Sequence, residues 1–473
     1  MKFSAVLNMV FGISAMTQAC LANERPVNIL FVMADDLGVR DLGCYGSDYY
    51  RTPNLDKLAA QGMRFARAYA ACNVCSPTRA AILTGRYPHR VKLTDALPWD
   101  RLADNPKMIP PNHLKELPTK FPMFGKSLQE AGYRTALFGK WHLGNEEKFF
   151  TEGGHKAYGF DEAADCSWQE KKRDKGVDEL TDMTIRFLRE NKDEPFMVCL
   201  MHHVPHVPMA CPPDAEALYN DVPKGRFQKN QKYAGMISHM DQSIEKLLGS
   251  LDELGLSENT VVVFSSDNGG LKNLTSNAPF RGGKGDLHEG GICVPLIVRW
   301  PGRVAAGSVC DSAVISMDYF PTFLELTGQP LMPEAHVDGQ SMVPLLEGKS
   351  VEPRTLAWHF PHRDHPASAI AMGDWKLIRH LLSGEVELFD LSSDPEESND
   401  LSSAHPERTE RLAKMLEAHL RDTNAQRMRP NLEWDASRPP GKYKNYGIFY
   451  PEGGRIYQQV KEPYPAWFNS AGE

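Results

Sequence analysis

Short apolar runs alternate with helical patterns between residues 28 and 299, and this alternation limits the folds that the chain can adopt. Such runs are typical of strands buried on both faces of a sheet, with helices covering each face. The predicted strands are Asn28–Met33, Thr135–Gly139, Phe196–Met201, Thr260–Ser265 and Pro295–Arg299. The predicted helices are Asn54–Gln61, Lys126–Glu130, Glu179–Glu190 and Gln231–Leu254. We therefore expect an α/β fold in which helices sandwich a mostly parallel, mixed sheet.

Polar residues directly follow four of the predicted strands. They are Asp35-Asp36, Lys140-Trp-His142, the cluster His202–His206 and Asp267-Asn268-Gly269. Open α/β sheets bind ligands beyond the carboxyl ends of their strands. Acid, amide, lysine and histidine side chains at four strand ends therefore predict one convergent site rather than four unrelated loops.

The sequence pattern changes after about residue 355. Ala367–His380 and Glu385–Leu391 predict two strands joined by a turn at Ser383-Gly384, and a charged helical pattern covers Pro406–Asp422. The tail that follows is rich in Pro, Gly and Tyr, and we expect it to wrap the main body. The chain thus divides into a large α/β domain at 23–355 and a smaller C-terminal α+β subdomain with an antiparallel sheet and tail at 356–473.

The first 22 residues have the features of a signal peptide. Lys2 precedes the apolar run Phe3–Met16, and Ala19 and Ala22 are small residues of the kind that signal peptidase cleaves after. The run is short for a transmembrane span, and no later segment predicts one. We expect an exported protein, periplasmic or secreted; the sequence before Cys20 fits a lipoprotein signal poorly.

Charge and cysteine content exclude some functions. The formal net charge is −8 and the 53 basic residues are scattered, whereas nucleic-acid binding requires a clustered basic face, so we expect no nucleic-acid partner. The nine cysteines show no disulfide framework. Cys72 and Cys75 have the spacing of a zinc or redox pair, but no second pair accompanies them.

The segment from Cys75 to Gly85 predicts a helix that begins beside a cysteine. Ser76 suits the N-cap, Pro77 the first helical position and Gly85 the end of the helix. The unpaired N–H groups near Cys75 favour an anion, and Arg79 lies one turn further on. These local features fit an anion site and an ordinary buried cysteine equally well.

A family resemblance adds to this local interpretation. Cys75-x-Pro77-x-Arg79 followed by Ala-Ala-Ile-Leu-Thr-Gly resembles the signature of the type I sulfatases, in the alkaline phosphatase superfamily. Thr78 stands where that family most often has Ser. Further resemblances occur in order along the chain: Asn28 to Gly38, Asp41 to Gly46, Thr52 to Asp56, Gly139 to Gly144, Asp267 to Gly270, Gly283 to Gly291 and Gly373 to Ile378.

The resemblance implies a modified nucleophile and a metal. In such enzymes a separate maturase oxidises the motif cysteine, here Cys75, to formylglycine. One hydroxyl of its hydrate attacks sulfur and the other later drives sulfate release. The implied metal ligands are Asp35, Asp36, residue 75, Asp267 and Asn268. Hard oxygen donors suit calcium, with magnesium the less favoured ion.

The resemblance also implies roles for five further residues. Arg79, Lys140 and Lys284 would surround the negative charge of the sulfate group. His142 would assist collapse of the hemiacetal, and His206 would protonate the leaving alcohol. We favour His206 over His202 and His203 because its Pro-His-Val-Pro context matches the family best.

The substrate class is inferred from the segment Trp358 to His365, early in the C-terminal subdomain. It resembles the segment that reaches the active site in bacterial carbohydrate sulfatases, and a plain connecting loop is the alternative. The candidate substrate-binding residues are His359, His362, Arg363 and His365. We expect a sulfated glycan or oligosaccharide as substrate. The rival functions are a phosphodiesterase or phosphonate hydrolase of the same superfamily and a non-catalytic protein that binds sulfated glycans.

Overall fold

The structure is a computed structural model of the chain. It describes residues 26–98, 100–103, 105–166, 174–438 and 443–446, with the backbone alone at 100–103 and 443–446. The predicted signal peptide, 1–22, lies outside these residues. Within them, no helix combines the length and the apolar character that crossing a membrane requires.

The bounds of the regular elements are as follows. The strands are β1 (Asn28–Asp35), β2 (Met63–Phe65), β3 (Ala68–Tyr69), β4 (Asp100–Ala103), β5 (Met108–Ile109), β6 (Arg134–Gly139), β7 (Glu162–Ala164), β8 (Phe196–Pro205), β9 (Thr260–Ser266), β10 (Leu296–Arg299), β11 (Ser308–Cys310), β12 (Val314–Ile315), β13 (Thr355–Phe360), β14 (Ala367–Met372), β15 (Trp375–His380), β16 (Val386–Asp390), β17 (Arg429–Pro430) and β18 (Tyr443–Tyr446). The α-helices are α1 (Pro53–Gln61), α2 (Cys75–Thr84), α3 (Pro88–Val91), α4 (Phe124–Glu130), α5 (Glu146–Phe150), α6 (Val177–Glu190), α7 (Pro213–Ala217), α8 (Gln231–Glu253), α9 (Glu289–Ile292), α10 (Tyr319–Leu326), α11 (Val343–Leu346) and α12 (Pro406–Asp422).

The central sheet contains eight strands in the order β11-β2-β10-β9-β1-β8-β6-β7. β9, β1, β8, β6 and β7 run parallel to one another, whereas β10 is antiparallel to both β9 and β2. Every residue of β1 is buried, as expected for a strand covered on both faces. The predicted mixed α/β sheet is confirmed, and its parallel part brings several strand ends to one edge.

All five predicted strands and all four predicted helices of this region are present. One prediction about them is wrong: His202 and His203 lie within a strand rather than after one. β8 continues to Pro205 because it remains paired with β1, through a bulge, as far as Asp35. Only the last histidine of the cluster, His206, lies beyond the strand end.

The C-terminal sheet is antiparallel, in the order β13-β14-β15-β16, and is packed on both faces. One face carries Ile370, Leu377 and Leu388, which pack with leucines of α12. The other face joins the core of the main body, where Trp358 Nε1 donates to the carbonyl oxygen of Ala70 at 2.8 Å. The subdomain is therefore anchored to the larger domain by its sheet.

Two features of this sheet differ from the sequence prediction. The predicted strand Ala367–His380 is two strands, because the chain turns at Gly373, whose φ of 62° is left-handed. β13 was not predicted, since Thr355–Phe360 precedes the hairpin pattern. The predicted hairpin around Ser383-Gly384 is confirmed by the pairing of β15 with β16. In the tail, β17 pairs with β5 and β18 with β4, so its described parts lie on the main body.

Candidate active site

The ends of three parallel strands and one helix meet at the edge of the central sheet. Asp35 ends β1 and Asp36 follows it, Lys140 and His142 follow β6, and Asp267 and Asn268 follow β9. The first residue of α2, Cys75, is brought to the same place. The convergence that the strand ends predicted is present in the structure.

The start of α2 places the Cys75 side chain. Val74 is extended and is the N-cap, so Cys75 is the first helical residue and the prediction of Ser76 as N-cap is wrong. The Ser76 hydroxyl instead accepts a bond from Leu97 N at 3.0 Å. Thr78 Oγ1 donates to Cys72 O at 3.0 Å and accepts from Cys72 N at 3.1 Å. The hydroxyl at position 78 thus fixes the turn that precedes Cys75.

Oxygen atoms crowd around the Cys75 thiol. Its Sγ lies 3.5 Å from Asp35 Oδ1 and 3.7 Å from Asp36 Oδ1. Asn268 Nδ2 donates to Asp36 Oδ1 at 2.8 Å, and Asp267 Oδ1 accepts from Asp36 N at 3.2 Å. All five residues are buried. A metal ion at this point would be reached by carboxylate and amide oxygens from two neighbouring strands.

Two hydrogen-bond acceptors in this group have no donor in the part of the chain that the structure describes. Among the described residues, Asp36 Oδ2 and Asn268 Oδ1 are buried without a hydrogen-bond donor. Asp35, Asp36, Cys75 and His206 offer ligand atoms within 4.8 Å of one another. Buried acceptors without donors are costly unless a cation satisfies them, and an oxygen-rich set fits calcium. The residues present therefore fit the metal that the sequence predicted.

Three cations balance the carboxylates. Lys140 Nζ lies 2.6 Å from Asp35 Oδ2, and Lys284 Nζ lies 2.5 Å from Asp36 Oδ1. Arg79 pairs with Asp267 at 2.8 Å. Burial acts to raise the pKa of Asp35, but Lys140 and the other nearby cations hold it well below its usual range. Three positive and three negative side chains cancel, so a divalent cation would leave the site positive toward an anionic substrate.

Of the three histidines in the cluster 202–206, only His206 faces the open part of the site. Its side chain is 28% exposed and its Nε2 lies 3.6 Å from Asp36 Oδ2. His202 is fully buried, with its Nε2 3.4 Å from Ser243 Oγ, and His203 is held by Asp165 at 3.0 Å. His202 and His203 therefore have partners in the interior, whereas His206, whose Nδ1 contacts the carbonyl oxygen of Val207 at 2.6 Å, has a ring that is partly exposed at the site.

A cavity of about 490 Å³ opens onto this group. The predicted site residues that line it are Asp36, Cys75, His142, His206, Lys284, Arg363 and His365. His142 contacts the carbonyl oxygen of Leu97 through Nε2, and its Nδ1 is buried without a partner in the described part of the chain. Five further predicted residues are buried and contact residues of the lining or one another: Arg79, Lys140, Asp35, Asp267 and Asn268.

Comparison with known proteins shows the family to which this chain belongs. The protein-family model described as Sulfatase matches residues 27–329, well over half of the chain. A second model, described as N-sulphoglucosamine sulphohydrolase, C-terminal, matches residues 283–426. The chain belongs to the sulfatase family. Sulfatases are sulfuric ester hydrolases, so this sulfatase is an enzyme of that class.

Individual relatives agree with the family assignment. Human arylsulfatase A is 30% identical, over 94% of this chain and 88% of the relative. N-acetylgalactosamine-6-O-sulfatase from Bacteroides thetaiotaomicron is 27% identical, over 84% of this chain and 93% of the relative. The crystal structure of Ps i-CgsB in complex with k-i-k-neocarrahexaose has a TM-score of 0.71 and 28% identity, over 84% of this sulfatase and 93% of that chain.

Two of the four predicted substrate-binding residues are not at the cavity. His359 is buried on β13, where its ring bonds to Ser368 Oγ and to the carbonyl oxygen of Gln426, both at 2.7 Å. His362 is buried with its Nε2 2.8 Å from Thr94 Oγ1. The structure does not bring either ring to the cavity, because both rings are bonded inside the protein.

Arg363 does reach the cavity of the sulfatase, held by a residue that sequence reasoning missed. Arg363 Nη2 lies 2.6 Å from Asp95 Oδ1, and the Asp95 side chain is almost fully buried. Asp95 stands two residues before Leu97, which contacts His142. No local signal marked Asp95, since an acid between Thr94 and Ala96 resembles any turn.

A second missed residue, Lys175, supports His206. Its Nζ donates to the carbonyl oxygen of His206 at 2.6 Å and to that of Val207 at 3.3 Å. Burial lowers the pKa of Lys175 to about 8. A lysine in a charged stretch gives no sequence signal of such a role.

Proposed function

We propose that this sulfatase hydrolyses sulfate esters on a sulfated glycan or oligosaccharide, with residue 75 as nucleophile after conversion to formylglycine and with a bound calcium ion. The observation that carries the proposal is the position of Cys75. Its Sγ lies at the cavity between Asp35, Asp36 and Lys284, within 3.7 Å of each. No other cysteine of the described residues lines the cavity.

Formylglycine is an aldehyde, and by adding water it would supply two hydroxyl groups at a position where the unmodified chain has a thiol. Lys284 Nζ, 3.2 Å from the Cys75 Sγ, is placed to hold an oxygen atom of that residue. Lys140 and Arg79 lie on the buried side, fixed by Asp35 and Asp267. Cations fixed in advance stabilise negative charge that develops on sulfate oxygens without having to reorganise.

Asp35, Asp36, Asp267 and Asn268 would hold the calcium ion. A bound calcium supplies a fixed positive charge that polarises a sulfate oxygen. Magnesium is the less favoured ion, because it demands a tighter octahedral arrangement than a set of carboxylates on two strands readily gives.

Proton transfer is assigned to the two histidines at the cavity. His206 is the acid for the leaving alcohol, since its ring is partly exposed and its backbone is held by Lys175. His142 acts on the nucleophile side, with its Nε2 directed at Leu97 O. Both roles require a ring within reach of a substrate in the cavity, and both rings line it.

The sugar is assigned to the wall formed by the C-terminal subdomain. Arg363 and His365 line the cavity beside Asp364. Arginine, carboxylate and imidazole groups in a concave site are suited to hydrogen bonds with sugar hydroxyls. The carbohydrate ligands and names of the relatives support the same substrate class.

Export and maturation complete the proposal. The segment 1–22 would direct the chain to the periplasm or the medium, and a formylglycine-generating maturase would be its partner before export is complete. A sulfated polysaccharide outside the cell would be accessible there.

A substrate panel tests the proposal. Sulfate release from sulfated glycans and aryl sulfates is measured on protein whose Cys75 is converted, beside matched phosphate monoesters and diesters. A kcat/KM highest on sulfate esters is expected. A preference for phosphodiesters or phosphonates would assign the rival hydrolase function, and tight glycan binding without turnover would assign the binding function.

A further inference from the structure

A buried ion cluster joins the C-terminal sheet to the segment that carries Lys284. Lys376 on β15 is fully buried, and its Nζ lies 2.7 Å from Glu289 Oε1 and 2.9 Å from Glu397 Oε1. Glu397 Oε2 accepts a hydrogen bond from Glu289 N at 2.6 Å, and the Tyr69 hydroxyl donates to Glu289 Oε2 at 3.1 Å. Glu289 begins α9 in the larger domain, whereas Lys376 and Glu397 belong to the subdomain.

The segment 283–291 connects this cluster to the active site, and hydrogen bonds and close packing restrict its backbone. Its start is fixed by bonds from Lys284 N to Gly270 O and from Gly285 N to Asn73 O, both at 3.0 Å. Its end is packed so closely that a Cβ at Gly291 would lie 2.1 Å from Asp286 O. A shift of Glu289 would therefore move the backbone that holds Lys284 against Asp36 and Cys75.

The cluster is not part of the cavity, because Lys376, Glu289 and Glu397 do not line it. A buried ion cluster is also a poor source of stability, since desolvation offsets most of the attraction between the charges. What such a cluster does provide is a defined position, because each charge has only a few partners that can satisfy it. Here the defined position is that of Glu289, five residues after Lys284.

We propose that Lys376 is a positioning residue for Lys284, acting through Glu289 and Glu397 to fix the segment 283–291. Through it the subdomain sets the geometry of the sulfate pocket as well as contributing Arg363 to the cavity wall. The inference rests on the proposed function, in which Lys284 faces the sulfate group. It also gives a role to the motif Gly373 to Ile378, which the active site does not otherwise use.

The test compares the broken cluster with a second broken ion pair that lies outside the segment 283–291. Lys376→Met/Glu397→Gln removes one positive and one negative charge, so the formal charge of the cluster is unchanged. Arg354→Met is the control, because it breaks the pair between Arg354 and Asp318 without touching the segment 283–291. On an aryl sulfate we expect kcat/KM to fall about 10- to 100-fold in the first variant and less than about threefold in the control.

A background without Lys284 separates positioning from a general structural role. In the Lys284→Ala protein, the Lys376→Met/Glu397→Gln change should lower kcat/KM by less than about threefold, because the side chain that Lys376 positions is already absent. An equal loss in both backgrounds would overturn the proposal. Glu289→Gln gives the same comparison in a milder variant, with Lys376 still balanced by Glu397, should the double variant fail to fold.

Hydrogen exchange gives a readout that does not require turnover. Peptides covering 283–291 should exchange faster in the double variant than in the wild type or the Arg354→Met control, while peptides covering β1 should not change. Unchanged exchange at 283–291 would overturn the proposal even if activity fell. If wild-type protein hydrolysed no sulfate ester, the proposed function would fail, and the exchange result would still show whether Lys376 fixes this segment.

Discussion

The ammonium group of Lys284 lies 3.2 Å from the Sγ atom of Cys75, although the two residues are 209 positions apart in the chain. The same ammonium contacts Asp36 Oδ1 at 2.5 Å. The proposed nucleophile, a carboxylate proposed to bind the metal and a cation therefore lie next to one another in the interior of the site.

Replacing Lys284 with Ala should reduce kcat/KM for sulfate esters by about 100- to 1,000-fold, because a cation aimed at developing charge is lost. The rates are compared at equal conversion of Cys75, so that modification and catalysis are not confused. Lys246→Met is the control, since Lys246 lies on the exposed surface of α8 and pairs there with Asp182 of α6. Equal activity of the Lys284→Ala and Lys246→Met proteins would contradict the assigned role.

Removing calcium with a chelator should lower sulfate release by at least about 100-fold and also lower the melting temperature, because the acceptors Asp36 Oδ2 and Asn268 Oδ1 lose their cation. Calcium should restore both quantities, and magnesium should restore them less well. Asn268→Ala should raise the calcium concentration needed, whereas Asn220→Ala, at an exposed amide, should not. Full activity in metal-free protein would rule out the metal site.

Replacing Arg363 with Ala should act on glycan binding rather than on chemistry. We expect KM for a sulfated oligosaccharide to rise about tenfold, while kcat/KM for a small aryl sulfate changes less than about twofold. Asp95→Asn should give a smaller effect of the same kind, because Asp95 holds Arg363 at 2.6 Å. The control is Arg379→Ala, whose side chain pairs with Glu417 on the outer face of the subdomain. Equal losses of kcat/KM on the oligosaccharide and on the aryl sulfate would instead assign Arg363 to the chemical step.

His359 should make the fold sensitive to acid. Burial lowers its pKa to about 4 from the usual 6.5, and the cations Arg427 and Lys92 act in the same direction. Between these two pH values the unfolded chain binds a proton that the folded protein does not, so stability is complete above the unfolded pKa and is lost as the pH falls. From about pH 7 to about pH 5 the loss from this residue is about 2 kcal/mol.

Urea unfolding at the two pH values measures that contribution. His359→Gln keeps an amide beside Ser368 and Gln426 and should remove about 2 kcal/mol of the pH-dependent loss of stability, while other buried histidines such as His202 and His362 keep their contributions. His365→Gln, at an exposed position, should leave the pH dependence as it is in the wild type. If the free energy of unfolding of the His359→Gln protein changed with pH as it does in the wild type, the His359 ring would not be held neutral in the folded protein.

The strand ends were predictable because apolar runs and the residues after them are adjacent in sequence. Asp35, Lys140 and Asp267 could be placed at one sheet edge from this pattern alone. Lys284 could not, since it lies in a glycine-rich segment with no strand before it, and only the resemblance indicated it.

The C-terminal subdomain was less predictable, for a physical reason. In the segment 358–365, His359 and His362 are buried whereas Arg363 and His365 line the cavity, and residue type alone does not distinguish these directions. Asp95 and Glu289 became visible only through contacts with Arg363 and Lys376, more than 80 positions away. Such long-range ion pairs leave no local pattern in the sequence.

The measurement that tests the central claim most directly relates sulfate release to the state of residue 75. Conversion of Cys75 to formylglycine lowers the mass of its peptide by about 18 Da, so mass spectrometry gives the converted fraction in each preparation. We predict that the rate of sulfate release is proportional to that fraction and vanishes in a Cys75→Ala variant. Sulfate release by protein with an unconverted thiol, or none from fully converted protein with calcium, would contradict the account.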